Sequence, residues 1–166
     1  MYSDNSNLIK KFEKMISDDS SIFLDTDEVE EIILYYFNEG DIMMAEKAVE
    51  LGNNLYPNSV NINILYSEIL ILKGEITESY DLIDDMLSIN KNSQDLLFQK
   101  CKILTKLKKY KESISILKDI PKSDQLRFFV LDLLLKNYMN LENYEKSIRV
   151  LILSLIHISE PTRPLS

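Results

Sequence analysis

The sequence predicts an all-α fold, and three observations carry that prediction. A 34-residue period runs without a gap from about residue 26 to residue 152. Within each unit the apolar residues recur at helical rather than strand spacing, as in Ile62, Leu65, Ile69 and Leu72. Three Gly and four Pro in 166 residues are too few for the loops of a β-sandwich, a collagen-like segment or a low-complexity linker. The composition, 45% apolar and 28% charged, is that of a folded chain. Length alone predicts one domain. A chain of this size can bury about two thirds of its unfolded surface without staples.

The elements come in order along the chain. Leu8, Ile9, Phe12, Met15 and Ile16 form one apolar stripe, and Lys10, Lys11, Glu13 and Lys14 lie opposite. This predicts an amphipathic helix within residues 1–25 that caps the first periodic unit; three lysines on one short helix make a weak membrane anchor. Asp25 and Asp27 begin like a calcium loop. Glu30 stands where that loop needs Gly and Tyr36 where it needs a bidentate Glu. Asp25–Glu31 therefore reads as an acidic first turn favoured by the helix dipole. Helices are predicted at 28–38, 42–55, 60–72, 76–88, 94–107, 111–119, 124–140 and from 144 onward. Gly40 and Gly74 follow helical stretches, where a left-handed C-terminal cap is needed. Pro57 stops a helix, and the hydroxyls of Ser59 and Ser93 can take orphan N–H groups at the next starts.

The period is written in columns. Ile42, Ile76, Tyr110 and Tyr144 share one, and three residues on stand the small Ala45, Ser79, Ser113 and Ser147. Val49, Ile83, Leu117 and Leu151 are all aliphatic, and Tyr36, Leu70, Leu104 and Tyr138 are all large and apolar. The column of Ile33, Ser67, Cys101 and Leu135 is mixed. At these residues the chain resembles the tetratricopeptide repeat (TPR) family. Gly40 and Gly74 match its turn glycine, Ala45 its small helix-crossing residue and Pro57 its terminating proline. The resemblance implies a right-handed α-solenoid of helix–turn–helix repeats at about 26–59, 60–93, 94–127 and 128–152, the last one cut short. Departures are Val29, Asn63, Leu97 and Leu131 in place of the early aromatic, Lys108 and Glu142 in place of the turn glycine, and Lys91 in place of the second proline. Because one helix pair cannot bury its own apolar face, neighbouring pairs must stack.

Residues 153–163, Leu-Ser-Leu-Ile-His-Ile-Ser-Glu-Pro-Thr-Arg, resemble a translated sequencing-library adapter. On that reading 153–166 is a non-native tail, His157 is no candidate ligand or base, and the chain is a truncated fragment. Val150, Leu151 and Ile152 would then run into an apolar end and favour self-association.

Catalytic chemistry is poorly provided for. The phosphate-loop, dinucleotide, nucleophile-elbow and zinc-protease motifs are all missing from the sequence. With His157 set aside no imidazole remains for base catalysis near neutral pH. Cys101, the only cysteine, reads as a small packing residue. No catalytic residue, cofactor, metal site or small-molecule substrate is expected. A lone cysteine excludes a disulfide framework, and the acidic start lacks a secretory apolar region, so a cytoplasmic location is expected.

Charge divides unevenly. Residues 1–93 carry 6 basic and 19 acidic groups, whereas 94–152 carry 12 basic and 7 acidic. The basic run holds Lys100, Lys102, Lys106, Lys108, Lys109, Lys111, Lys118 and Lys122, with Tyr110 its one interleaved aromatic. The acidic first half would repel a polyanion, which disfavours nucleic acid. The family resemblance implies instead a non-catalytic scaffold or adaptor whose first helices line a groove for a peptide or helix of another protein. By column that groove presents Glu30, Leu34, Phe37 and Asn38, then Asn61, Ile64, Glu68 and Ile71, then Phe98, Lys102, Thr105 and Lys106, then Asp132, Lys136, Met139 and Asn140. Glu30 and Phe98 replace the lysines of the family's chaperone-carboxylate clamp, which disfavours that role. Lys102, Lys106 and Lys136 would receive an acidic segment, with Phe37, Ile64 and Phe98 giving apolar contact. The alternatives are the N-terminal part of a larger enzyme or signalling protein, and a nucleic-acid module built on the basic third repeat.

Overall fold

The computed structural model describes residues 3–18, 22–120 and 124–159, and every regular element among them is a helix. In chain order these are α1 (Ser3–Asp18), α2 (Thr26–Glu39), α3 (Ile42–Leu55), α4 (Val60–Lys73), α5 (Ile76–Ile89), α6 (Gln94–Lys106), α7 (Tyr110–Asp119), α8 (Asp124–Asn140) and α9 (Tyr144–Ser159). The sequence-predicted helix bounds agree to within two residues. Helices pack as consecutive antiparallel pairs, α2 with α3, α4 with α5, α6 with α7 and α8 with α9. This is an all-α helical-repeat solenoid.

One turn recurs at the repeat spacing. The amide of Asp41 donates to the carbonyl of Tyr36 at 2.9 Å, Glu75 to Leu70 at 2.8 Å, Lys109 to Leu104 at 2.8 Å and Asn143 to Tyr138 at 2.9 Å. Each bond reaches five residues back, which requires a left-handed residue just before the donor. Gly40 and Gly74 supply it with φ of 77° and 83°. Lys108 and Glu142 are forced into the same region, φ 60° and 56°, although they carry a Cβ. The missing glycines therefore alter the strain of the turn and not its shape.

Helix starts are equally local. Asp25 caps α2 through a reciprocal box, the Glu28 amide donating to its carboxylate and its own amide to Glu28, both at 2.9 Å. Asp41 accepts from the Met44 amide at 3.1 Å, and Ser59 and Ser93 accept from Ile62 and Leu96 at 3.4 Å.

The chain forms two compact units, Met1–Ile89 and Asn90–Ser166, where length alone predicted one domain. In repeat proteins each unit buries its surface against its nearest neighbours, so a division at a repeat boundary is natural. The core of the first unit contains Phe12, Leu24, Val29, Ile32, Ile33, Ala45, Val49 and Ile62. Phe12 stacks at 5.9 Å on Tyr36, whose hydroxyl donates to Glu13 at 3.2 Å, so α1 is fastened to α2. The Tyr56 hydroxyl closes the loop before α2 by donating to the Leu24 carbonyl at 2.7 Å. The second core contains Cys101, Leu117, Val130, Leu131, Leu134 and Tyr138. On α9 the apolar Ile148, Leu151, Ile152, Leu153, Leu155 and Ile156 are all exposed. The adapter-like stretch is helical to Ser159; its remainder, like Lys122, lies outside the described residues.

A left-handed non-glycine residue costs about 1–2 kcal/mol, and glycine gives back roughly 0.5–1 of this through its freer unfolded state. Lys108→Gly and Glu142→Gly should each raise stability by about 0.5–1 kcal/mol, read as a higher urea midpoint at unchanged slope. An unchanged or lower midpoint would show that these turns are not left-handed.

Candidate partner-binding surface

The predicted groove residues fall on four helices. In the first unit Phe37 lies on α2, half-buried against the core, and Ile64 and Glu68 are half-buried one turn apart on α4, which packs beside α2. Asn61 of α4 donates its amide to Glu30 of α2 at 3.2 Å, tying these two first helices together. Burial pushes the Glu30 carboxyl above the usual carboxylate range; the Asn61 bond opposes the shift and the charge of Asp27 adds to it.

In the second unit Phe98, Lys102 and Lys106 stand four residues apart on α6, one face of the helix. Lys136 lies on α8, which packs beside α6. It sits 3.9 Å from the Asp132 carboxylate, both side chains well exposed, so the pair contributes little to stability. Phe129 of α8 lies 6.4 Å from Phe98, ring to ring, and Phe128 lies 5.9 Å from Phe129 in an edge-on arrangement. Phe128 and Phe129 are 60% and 56% exposed. Sequence reasoning passed over both: Phe129 shares its column with Asp27, Asn61 and Asp95, so periodicity gives no signal there. The face therefore joins an aromatic platform to a lysine-bearing stretch on the following turns.

Thr105 departs from its expected place in the groove. Its hydroxyl lies 2.8 Å from Asn137 Oδ1 and 2.9 Å from the Cys101 carbonyl, and turns inward. Asn137, fully buried, donates to the Ser113 hydroxyl at 2.8 Å, and that hydroxyl donates to the Cys101 carbonyl at 3.0 Å. A buried side-chain amide must be satisfied on both ends, and Thr105 and Ser113 provide this. Asn137 stands where the column otherwise holds Tyr35, Ile69 and Ile103, so no pattern announced it. Cys101 is buried in the same place, its Sγ 3.7 Å from the Ser113 carbonyl. Burial pushes its thiol up to about 12, so the reactive thiolate is suppressed, as expected of a packing residue.

A cleft of about 930 Å³ lies between α1 and α2, lined among others by Ile9, Glu13, Glu30, Leu34, Tyr35 and Asn38. The predicted groove residues Glu30, Leu34 and Asn38 line it together, whereas Phe37 does not. Among the described residues no group of three or more potential metal ligands is assembled, and no helix is long and apolar enough to cross a membrane.

Paired helices at a 34-residue spacing, joined by one repeated turn, define a tetratricopeptide-type repeat protein. Residues 36–120, just over half of the chain, match the family model for anaphase-promoting complex, cyclosome, subunit 3, and the chain belongs to that family. No curated protein matches the sequence. Solved structures similar to it include a thermophilic TPR protein of Thermus thermophilus, with TM-score 0.71, 13% identity, and 91% of this chain and 81% of that one covered. A MamA protein structure gives 0.70 at 10% identity, covering 98% and 88%. MamA AMB-1 gives 0.65 at 13%, covering 95% and 85%. At these identities the likeness shows the fold, one typical of protein–protein interaction scaffolds and generally non-catalytic.

Removing the amide of Asn137 leaves a void and two hydroxyls short of a partner, a loss of about 2 kcal/mol. Among the described residues the Ser147 hydroxyl donates to the Asn143 carbonyl four residues back, at 2.9 Å, and to no side chain. Urea unfolding of Asn137→Ala should show that loss, whereas Ser147→Ala should cost less than about 0.5 kcal/mol. Equal effects would contradict the network.

Proposed function

We propose that this protein is a non-catalytic scaffold that binds a helix or peptide of a partner protein along its first helices. The observation that carries the reading is the α6–α8 pair, where the Phe98 and Phe129 rings lie 6.4 Å apart and the same two helices carry Lys102, Lys106 and Lys136. Phe129, exposed, and Phe98, half-buried against the core, give an aromatic surface on a helical platform, an anchor for an apolar side chain. Lysines on the adjoining turns favour carboxylates and steer the encounter. The partner segment is thus acidic with an apolar anchor, laid against α6 and α8 as a helix in a groove. Phe37, Ile64 and Glu68 belong to the equivalent face of α2 and α4 in the first unit.

The test is a labelled acidic helical peptide with one Leu–Phe anchor, titrated against the full chain by fluorescence anisotropy. Phe98→Ala should weaken binding by about tenfold, the effect of losing a buried aromatic anchor. Lys102→Glu with Lys106→Glu should weaken it further and lessen or invert the loss of affinity with added salt. Unchanged affinity in both variants would refute the reading.

A further inference from the structure

The α1–α2 cleft has a chemistry of its own. Glu13, Asp27, Glu30, Glu31 and Glu39 line it against a single ammonium, Lys10. Among the described residues none of these five carboxylates forms an ion pair; Glu13 takes the Tyr36 hydroxyl and Glu30 the Asn61 amide, both neutral donors. Neutral donors orient a carboxylate without cancelling its charge, so the cleft keeps a concentrated negative potential. Its middle is apolar: Leu34 and Tyr35 line it, 43% and 39% exposed. From Asp27 to Glu39 the wall runs about 18 Å along the helix, the reach of roughly five or six extended residues.

We infer that this cleft is a docking site for a short cationic segment of a partner protein. Its Lys or Arg side chains would meet Asp27, Glu30 and Glu31 at one end and Glu39 at the other, and an aliphatic residue between them would rest on Leu34 and Tyr35. Charge complementarity selects this occupant: an acidic or neutral segment would leave the carboxylates unpaired and desolvated. The cleft takes in Glu30, Leu34 and Asn38 of the predicted groove, so the inference rests on the proposed binding role of the first helices. It lies in the other unit from the α6–α8 face and is opposite to it in sign, so the acidic and cationic peptides test the two separately.

The probe is a fluorescein-labelled Arg-Lys-Leu-Leu-Lys-Arg peptide titrated into the full chain, with Glu-Glu-Leu-Leu-Glu-Glu as the reversed control. The cationic peptide should bind at roughly 0.05 M salt and weaken steeply towards 0.5 M, and the acidic peptide should not compete for the cleft. Glu30→Gln with Glu31→Gln should weaken the cationic peptide by about tenfold, and Leu34→Ala by roughly threefold or more. Glu39→Gln, at the exposed end of the helix, serves as a second variant should the double substitution disturb folding, and should weaken binding by about threefold. Lys102→Glu should leave it unchanged or stronger. Absence of binding at low salt overturns the inference. So does binding that ignores Leu34→Ala and the glutamine variants, because it would be diffuse attraction to the acidic half.

Discussion

The structure depends on a single backbone hydrogen bond made four times. The amide after each inter-helix turn must reach the carbonyl five residues back, at Tyr36, Leu70, Leu104 and Tyr138. That requirement fixes a left-handed residue at positions 40, 74, 108 and 142 and sends the second helix back along the first. Small residues at Ala45, Ser79, Ser113 and Ser147 then let the two helices cross closely. With the hairpin so fixed, the apolar columns have one face to bury, and stacking the next pair is the way to bury it.

The crossing is solved differently in successive repeats. Ile33 and Ala45 make it apolar in the first. In the second, the Ser67 and Ser79 hydroxyls lie 2.8 Å apart and Ser79 also reaches the Ser67 carbonyl at 3.1 Å. In the third, Ser113 repeats that bond to Cys101 and the network widens to Thr105 and Asn137. Polar groups at a close crossing are tolerated because each finds a partner across it, and satisfied networks of this kind specify register as well as stability. The same geometry disarms Cys101, whose thiol is enclosed by the crossing.

What was legible in the sequence is what repeats. Helix bounds, the glycine turns, the serine caps and the helical character of every element followed from columns and caps, since these express local rules. What was missed occurs once. Asn137 breaks a column of Tyr35, Ile69 and Ile103, and its meaning lies in Ser113 and Thr105, which only the fold brings near. Phe129 falls in a column otherwise held by Asp27, Asn61 and Asp95, and only the fold brings its exposed ring to Phe98. The α1–α2 cleft depends on how a non-repeating helix seats itself, through Phe12 and Glu13 on Tyr36, and no period encodes that. The uneven charge, 6 basic and 19 acidic groups in residues 1–93 against 12 and 7 in 94–152, was visible in the sequence, but not that five carboxylates line one cleft.

The central claim is that one turn geometry governs all four repeats, glycine or not. Amide hydrogen exchange at Asp41, Glu75, Lys109 and Asn143 tests it most directly, because these four donors make the bond in question. The account predicts all four to be protected well beyond exposed loop amides, with Lys109 and Asn143 as clearly slowed as Asp41 and Glu75. Exchange at free-peptide rates for Lys109 and Asn143, alongside protected Asp41 and Glu75, would contradict it, for the turn would then exist only where glycine permits it.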